Sequence, residues 1–206
     1  MIIMKAQELV EEVIQAHLQG KIQILHVEEE ITMIANLVAG LCPVNYLEVG
    51  YHEGGSFAIL SKLCTGKKLA VDVKRHHYPG FDEFMSGEEY EILIGSSQTQ
   101  EMFEQVRNFC PTYDLIFIDG DHTYDGVSRD FELYKQLLSP KGIMLFHDVD
   151  PDHAFADGDA GQVYKFWQDL DEGSKTQMIC STGKGRITVG SIPMRDHFGG
   201  FGIWKR

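Results

Sequence analysis

Residues 117 to 130 read FIDGDHTYDGVSRD, an apolar strand end that opens at once onto Asp119, Asp121, His122 and Asp125 around two glycines. Carboxylates held this close repel one another, so the grouping implies a cation between them or a reaction that moves a proton. Further along, LFHDVDPDH places His147 and Asp148 at the end of another apolar run. Oxygen ligands with one or two carboxylates and open water positions suit Mg2+ or a similar divalent ion, and Asp119 with Asp148 are the candidate pair. His147 reads either as a third ligand or as a structural partner of the acids. His122 has two readings as well: a loop histidine that caps Asp119 or Asp125, or the base that takes a proton from a hydroxyl. The alternating acids Asp148, Asp150 and Asp152 do not make an EF-hand, because its Gly and Glu places hold His153 and Asp159.

A second group of residues surrounds a glycine-rich turn, LEVGYHEGGSFAIL (47 to 60). Gly50, Gly54 and Gly55 let the chain turn tightly before a helix that begins near Ser56, although such a turn alone is a weak signal. Glu48 interrupts the apolar run before it, and Asp72 closes the following strand. An acid about twenty residues beyond the glycines can accept both ribose hydroxyls of a nucleoside cofactor. GYHEGG is not GxGxxG and offers little to a pyrophosphate, which favours an adenosine cofactor without phosphates over a nicotinamide dinucleotide.

These residues need a scaffold that brings strand ends together, and the sequence supplies one. Apolar runs at 44–50, 67–73, 90–95, 113–119 and 142–148 alternate with helical spacing at 56–66, 99–110 and 126–138. Continuous apolar strands separated by helices mean a parallel sheet covered on both faces, α/β and doubly wound. After a helix over 161–173, the stretches 175–180 and 199–206 read as strands without a helix between them, hence an antiparallel pair. Ahead of the sheet, residues 5–19 and 28–41 have the apolar spacing of two helices, with Glu28 to Glu30 at the positive end of the second helix dipole. The expected organisation is an N-terminal helical extension over 1–42 and one sheet domain over 43–206, with 150–160 and 74–88 as lid and substrate-contact loops.

The net charge of −13 disfavours nucleic acid and anionic membrane surfaces as partners. Four scattered cysteines, Cys42, Cys64, Cys110 and Cys180, without CxxC spacing suit buried free thiols in a reducing compartment. The apolar stretch at the N-terminus is too short for a signal peptide, so a cytoplasmic location is expected. The amphipathic residues 5–41 offer a homodimer surface or, equally, a face that packs on the chain's own domain.

With those residues in view, LEVGYHEGGS, AVD and FIDGDHTYDGVSRDFELYKQLLSPKGIMLFHDV resemble the class I S-adenosylmethionine-dependent methyltransferases. The resemblance is to the branch of metal-dependent O-methyltransferases of sugars and antibiotics (macrocin O-methyltransferase and cephalosporin-hydroxylase-like, methyltransferase family 24). It covers about residues 43 to 206 and implies a Rossmann-like seven-stranded sheet whose last strand is inserted antiparallel. By position it implies that Glu48, Gly50, Gly54 and Ser56 border the methionine of S-adenosylmethionine. Asp72 and Val73 would lie at the ribose, and Gly95, Ser96 and Ser97 at the adenine. Asp119 would border both cofactor and metal, Asp148 would be a metal ligand with His147 standing where many members have an acid, and His122 would be the base. The implied reaction is metal-assisted O-methylation of a small-molecule hydroxyl. The alternatives are a non-catalytic domain that binds the cofactor and a nucleotide-dependent oxidoreductase.

Overall fold

The computed structural model describes residues 2–76, 78–151, 161–180, 188–189, 192–193 and 199–206. Two helices lead, α1 (Ile2–Leu18) and α2 (Glu28–Leu41), then β1 (Tyr46–Val49), α3 (Gly55–Lys62), β2 (Lys68–Asp72), α4 (Pro79–Phe84) and β3 (Glu91–Ile94). The chain continues with α5 (Gln100–Phe109), β4 (Tyr113–Ile118), α6 (Tyr124–Tyr134), β5 (Leu138–His147) and α7 (Val163–Asp169). It closes with β6 (Ser174–Met178), the two-residue strands β7 (Thr188–Val189) and β8 (Ile192–Pro193), and β9 (Phe201–Lys205).

Seven strands form one sheet in the order β3-β2-β1-β4-β5-β9-β6. The first five pair in parallel, and β9 alone runs against its neighbours β5 and β6. The sequence expectation of a seven-stranded sheet with an inserted antiparallel last strand is met. Strand order reverses between β1 and β4, so the loops after them part and leave a crevice above their carboxyl ends.

The central strands β1, β2, β4 and the second half of β5 read as largely apolar runs because both faces are covered, whereas the edge strands β3 and β6 are partly or mostly exposed. On one face Tyr46, Ala70, Leu115, Phe117 and Leu145 pack with α1, α2 and α3; on the other Leu47, Val71, Ile116, Met144 and Phe146 pack with α5, α6 and α7. The apolar stripe of the N-terminal helices (Leu9, Val13, Ile31, Ile34, Val38) is buried in the first of these cores. Of the two uses open to that stripe, the chain packs it on its own sheet.

Local differences from the sequence reading have local causes. The stretch expected to be loose at 74–88 contains α4, started by Pro79 at its first turn. β5 begins at Leu138 rather than near Gly142, because Tyr113 pairs with Leu138 before a register shift. Cys64, Cys110 and Cys180 are buried free thiols, whereas Cys42 is exposed at the left-handed end of α2 (φ 49°). Residues 152–160 of the expected lid, with His77, His153 and His197, lie outside the described residues. No helix among the described residues is long and apolar enough to cross a membrane.

Candidate active site

A cavity of about 850 Å³ opens above the carboxyl ends of the parallel strands. One end is the β1 turn. Gly50 leaves β1 with φ +87°, and a Cβ there would lie 2.2 Å from the carbonyl oxygen of Asp119. The position therefore demands glycine twice over, for its left-handed backbone and for the close approach of the β4 loop. Gly54, Ser56 and Val73 also line the cavity.

Asp72 stands at the end of β2. Its Oδ2 accepts the backbone N–H of His52 at 2.9 Å and its Oδ1 that of Lys74 at 3.1 Å. These bonds aim the carboxylate into the crevice and leave each oxygen a lone pair for a ligand hydroxyl. Beyond it, Gly95, Ser96, Ser97 and Gln98 form the wall after β3. Gln98 is tied to Asp121 Oδ2 at 2.9 Å, and Tyr134 donates to the carbonyl of Ser97 at 2.8 Å, so helix α6 holds this turn from below.

Glu48 is the sequence candidate that does not reach the cavity. It is fully buried, accepts hydrogen bonds from Tyr46 and from Ser56 Oγ (2.5 Å), and faces α3. Burial pushes its carboxyl up to about 8 against the pull of those two hydroxyls, with the charges of Asp119 and Asp72 adding to the rise.

The opposite end gathers acids and histidines from β4 and β5. His122 Nε2 lies 3.4 Å from Asp119 Oδ1 and 3.6 Å from Asp148 Oδ2. His147 Nδ1 lies 3.5 Å from Asp119 Oδ1 and 3.3 Å from Asp148 Oδ1. Asp148 takes a left-handed φ of 61°, which an aspartate tolerates and which folds its carboxylate back over the strand ends. Although burial opposes its ionisation, the charges of His147 and His122 hold Asp148 down at about 2. Asp119 is likewise kept well below the carboxylate range by His147, His122 and His26 despite burial. Burial lowers the affinity of both histidines for a proton, yet the acids win: His122 is raised and His147 raised well above the usual imidazole value.

Two residues here were not singled out in the sequence. His26, from the segment before α2, is 4% exposed and places Nε2 3.2 Å from Asp119 Oδ2. Glu30, read only as a helix-dipole charge, is buried, accepts the Gly200 N–H at 2.7 Å and lies 3.4 Å from His147 Nε2. A polar residue next to the apolar Ile22, Ile24 and Leu25 was the one local sign of His26; the contact itself is non-local.

The donors fit a divalent cation. Asp119, His122 and Asp148 form one group with ligand atoms all within 4.8 Å of one another, and His26, Asp119 and His147 form another. The sequence set of Asp119, Asp148 and His147 is thus brought together, but split across two groups that share Asp119.

Known proteins agree with this architecture. A family model described as a methyltransferase domain matches residues 47–149, the span from β1 to the end of β5. An uncharacterized protein of Sinorhizobium fredii is 28% identical over 148 residues, covering 65% of this chain and 16% of its own length. Another, of Acanthamoeba polyphaga mimivirus, is 28% identical over 114 residues, 51% of either chain, so the match spans about half of this relative and far less of the first. Among solved structures, an O-methyltransferase from Bacillus cereus in complex with SAH superposes with a TM-score of 0.67 at 19% identity, covering 95% of this chain and 89% of that one. The O-methyltransferase TomG from Streptomyces achromogenes, in complex with SAM, gives 0.66 at 19% identity over 97% and 90%. The fold is shared with these enzymes, and by the family match the chain belongs to the methyltransferase-domain family.

Proposed function

We propose that the chain is an S-adenosylmethionine-dependent O-methyltransferase that acts, with a divalent metal, on a hydroxyl of a small molecule. The observation that carries this reading is one cavity running from the Asp72 carboxylate to the Asp119, His122 and Asp148 group. Its lining among the described residues includes five carboxylates (Glu53, Asp72, Asp119, Asp121, Asp148) and no lysine or arginine. That wall suits a sulfonium cation and disfavours a pyrophosphate, which weighs against the dinucleotide oxidoreductase.

The residues fit the cofactor by this charge and by shape. Asp72 would hold the ribose hydroxyls, the Gly95–Ser97 turn with exposed Val73 would flank the adenine, and the Gly50 to Ser56 turn would border the methionine. When bound, S-adenosylmethionine supplies an electrophilic methyl on a positively charged sulfur. Asp119 and Asp148, with His147, would hold a divalent cation, whose chemistry is to lower the pKa of an acceptor hydroxyl. His122 faces the same space and takes the hydroxyl proton. With the proton held on His122, transfer would form the oxygen–methyl bond as the carbon–sulfur bond of the cofactor breaks, leaving a methyl ether and S-adenosylhomocysteine. Positioning by the two ends of the cavity is the main contribution of the protein to this displacement.

Calorimetric titration with S-adenosylhomocysteine tests the reading. Micromolar binding is expected in the wild type, weakened about ten- to a hundredfold in Asp72→Ala, a loss of about 1.4–2.8 kcal/mol. His122→Asn is expected to keep that binding and to lower kcat for methyl transfer by about a hundredfold. Absence of S-adenosylhomocysteine binding to the wild type sinks the proposal.

A further inference from the structure

The N-terminal segment reaches the candidate metal centre through His26. This imidazole is 4% exposed, lines the cavity, and has no hydrogen-bond partner for either ring nitrogen among the described residues. Burial of an imidazole whose ring nitrogens make no well-directed hydrogen bond is unfavourable unless something else satisfies it. Its neighbours are other donors: Asp119 Oδ2 lies 3.2 Å from Nε2, and the His147 ring sits edge-on with centroids 4.6 Å apart. Phe117 and Phe201 pack about the same ring and hold it in place.

We propose that His26 is a metal ligand that joins the Asp119 and His147 of the set named above, so that two imidazoles face the ion and the centre selects a transition-metal ion over Mg2+. The inference rests on the metal-assisted reading above and names both a ligand from outside the matched methyltransferase span and the class of ion. Donors about 2.0–2.2 Å from one ion are separated by about 3 Å at right angles and about 3.5 Å at the tetrahedral angle. The separations of 3.2 Å from His26 Nε2 to Asp119 Oδ2 and 3.5 Å from His147 Nδ1 to Asp119 Oδ1 fall in that range, one on each oxygen of the carboxylate. Imidazole nitrogen suits Fe2+, Co2+, Ni2+, Cu2+ and Zn2+, whereas Mg2+ takes oxygen and water. Glu30, behind His147 Nε2, is the carboxylate that orients a ligating histidine and fixes its tautomer. Because Glu30 belongs to α2 and His26 to the segment before it, the N-terminal elements carry both the ligand and its support.

The test uses the full chain, stripped by a chelator, then titrated with Co2+ (followed by its visible absorption) and with Mg2+ by calorimetry. Co2+ is expected to bind at least about tenfold tighter than Mg2+, and His26→Ala to weaken Co2+ by about tenfold or more. A His52→Ala, His76→Ala double variant, which removes the separate His52–Glu53–His76 group, is expected to leave the Co2+ spectrum unchanged. On the unsubstituted protein, Zn2+ is expected to shift the side-chain nitrogen resonances of His26 and His147, a readout independent of how any variant folds. Co2+ affinity unaltered in a folded His26→Ala protein, His26 resonances that Zn2+ leaves in place, or Mg2+ binding as tight as Co2+ overturns the proposal. S-adenosylhomocysteine binding in the presence of chelator is read separately: its loss removes the methyltransferase reading, while its retention beside an unmoved His26 removes this inference alone.

Discussion

Glu48 shows how one residue's surroundings set its chemistry. It lies in the middle of the sheet on β1, and burial leaves it protonated at neutral pH with a carboxyl pushed up to about 8 from the ordinary 4.5. The folded state therefore holds a proton that the unfolded chain releases between those values. That contribution is fully present below about pH 4.5, declines as pH rises and is gone above about 8. Glu48→Gln removes the titration and keeps an oxygen for Tyr46 or Ser56. Wild-type stability is expected to fall by roughly 2–4 kcal/mol relative to Glu48→Gln between about pH 5 and 8. Urea denaturation of both proteins across that range checks it, and parallel pH profiles would show that Glu48 ionises freely in the fold. An acid inside an apolar run reads from the sequence as a ligand contact; its actual partners, Tyr46 and Ser56, take it away from the cavity.

The decisive element is the turn from β1 into α3. Here the Gly50 N–H donates to Val71 and the Asp119 N–H to Val49, each at 2.8 Å, so three parallel strands are stitched together at the point where the crevice opens. Gly50→Ala forces a side chain into a left-handed backbone and into the Asp119 carbonyl. A loss of about 2–4 kcal/mol is expected from strain and overpacking together, with displacement of Asp119 from its histidines. A thermal melt and S-adenosylhomocysteine titration of this variant measure the two effects; an unchanged melting temperature contradicts the close approach. Helix α2 was legible to the residue because its Glu run opens it and its apolar spacing ends at Leu41, just before Pro43. The short α4 was hidden in the sequence, since its buried Phe81, with Met85 just past its end, makes one turn and no repeating stripe.

At the scale of the whole molecule, the N-terminal helices and the sheet share one core: Ala6, Val13, Ile34 and Val38 cluster with Phe57, Leu115 and Leu145. A chain lacking residues 1–42 exposes that face of the sheet and loses His26 and Glu30. Such a truncated protein is expected to lack a cooperative thermal transition or to aggregate. A truncated chain with a cooperative melt and intact S-adenosylhomocysteine binding would show instead that the sheet stands alone.

Sequence alone determined the order of the seven sheet strands along the chain and of their longer helices, the antiparallel last strand, and the two strand-end acids Asp72 and Asp119, because periodicity and strand-end chemistry are local properties. Continuous apolar strands also required covering helices on both faces. Only the tertiary structure decided which donors meet. It turned Glu48 inward, folded Asp148 back through a left-handed backbone, and set Glu30 against His147 across 117 positions of sequence. It also carried His26 to Asp119 from a segment with no motif of its own. Contacts of that kind depend on how separate elements pack, and no spacing along the chain encodes them.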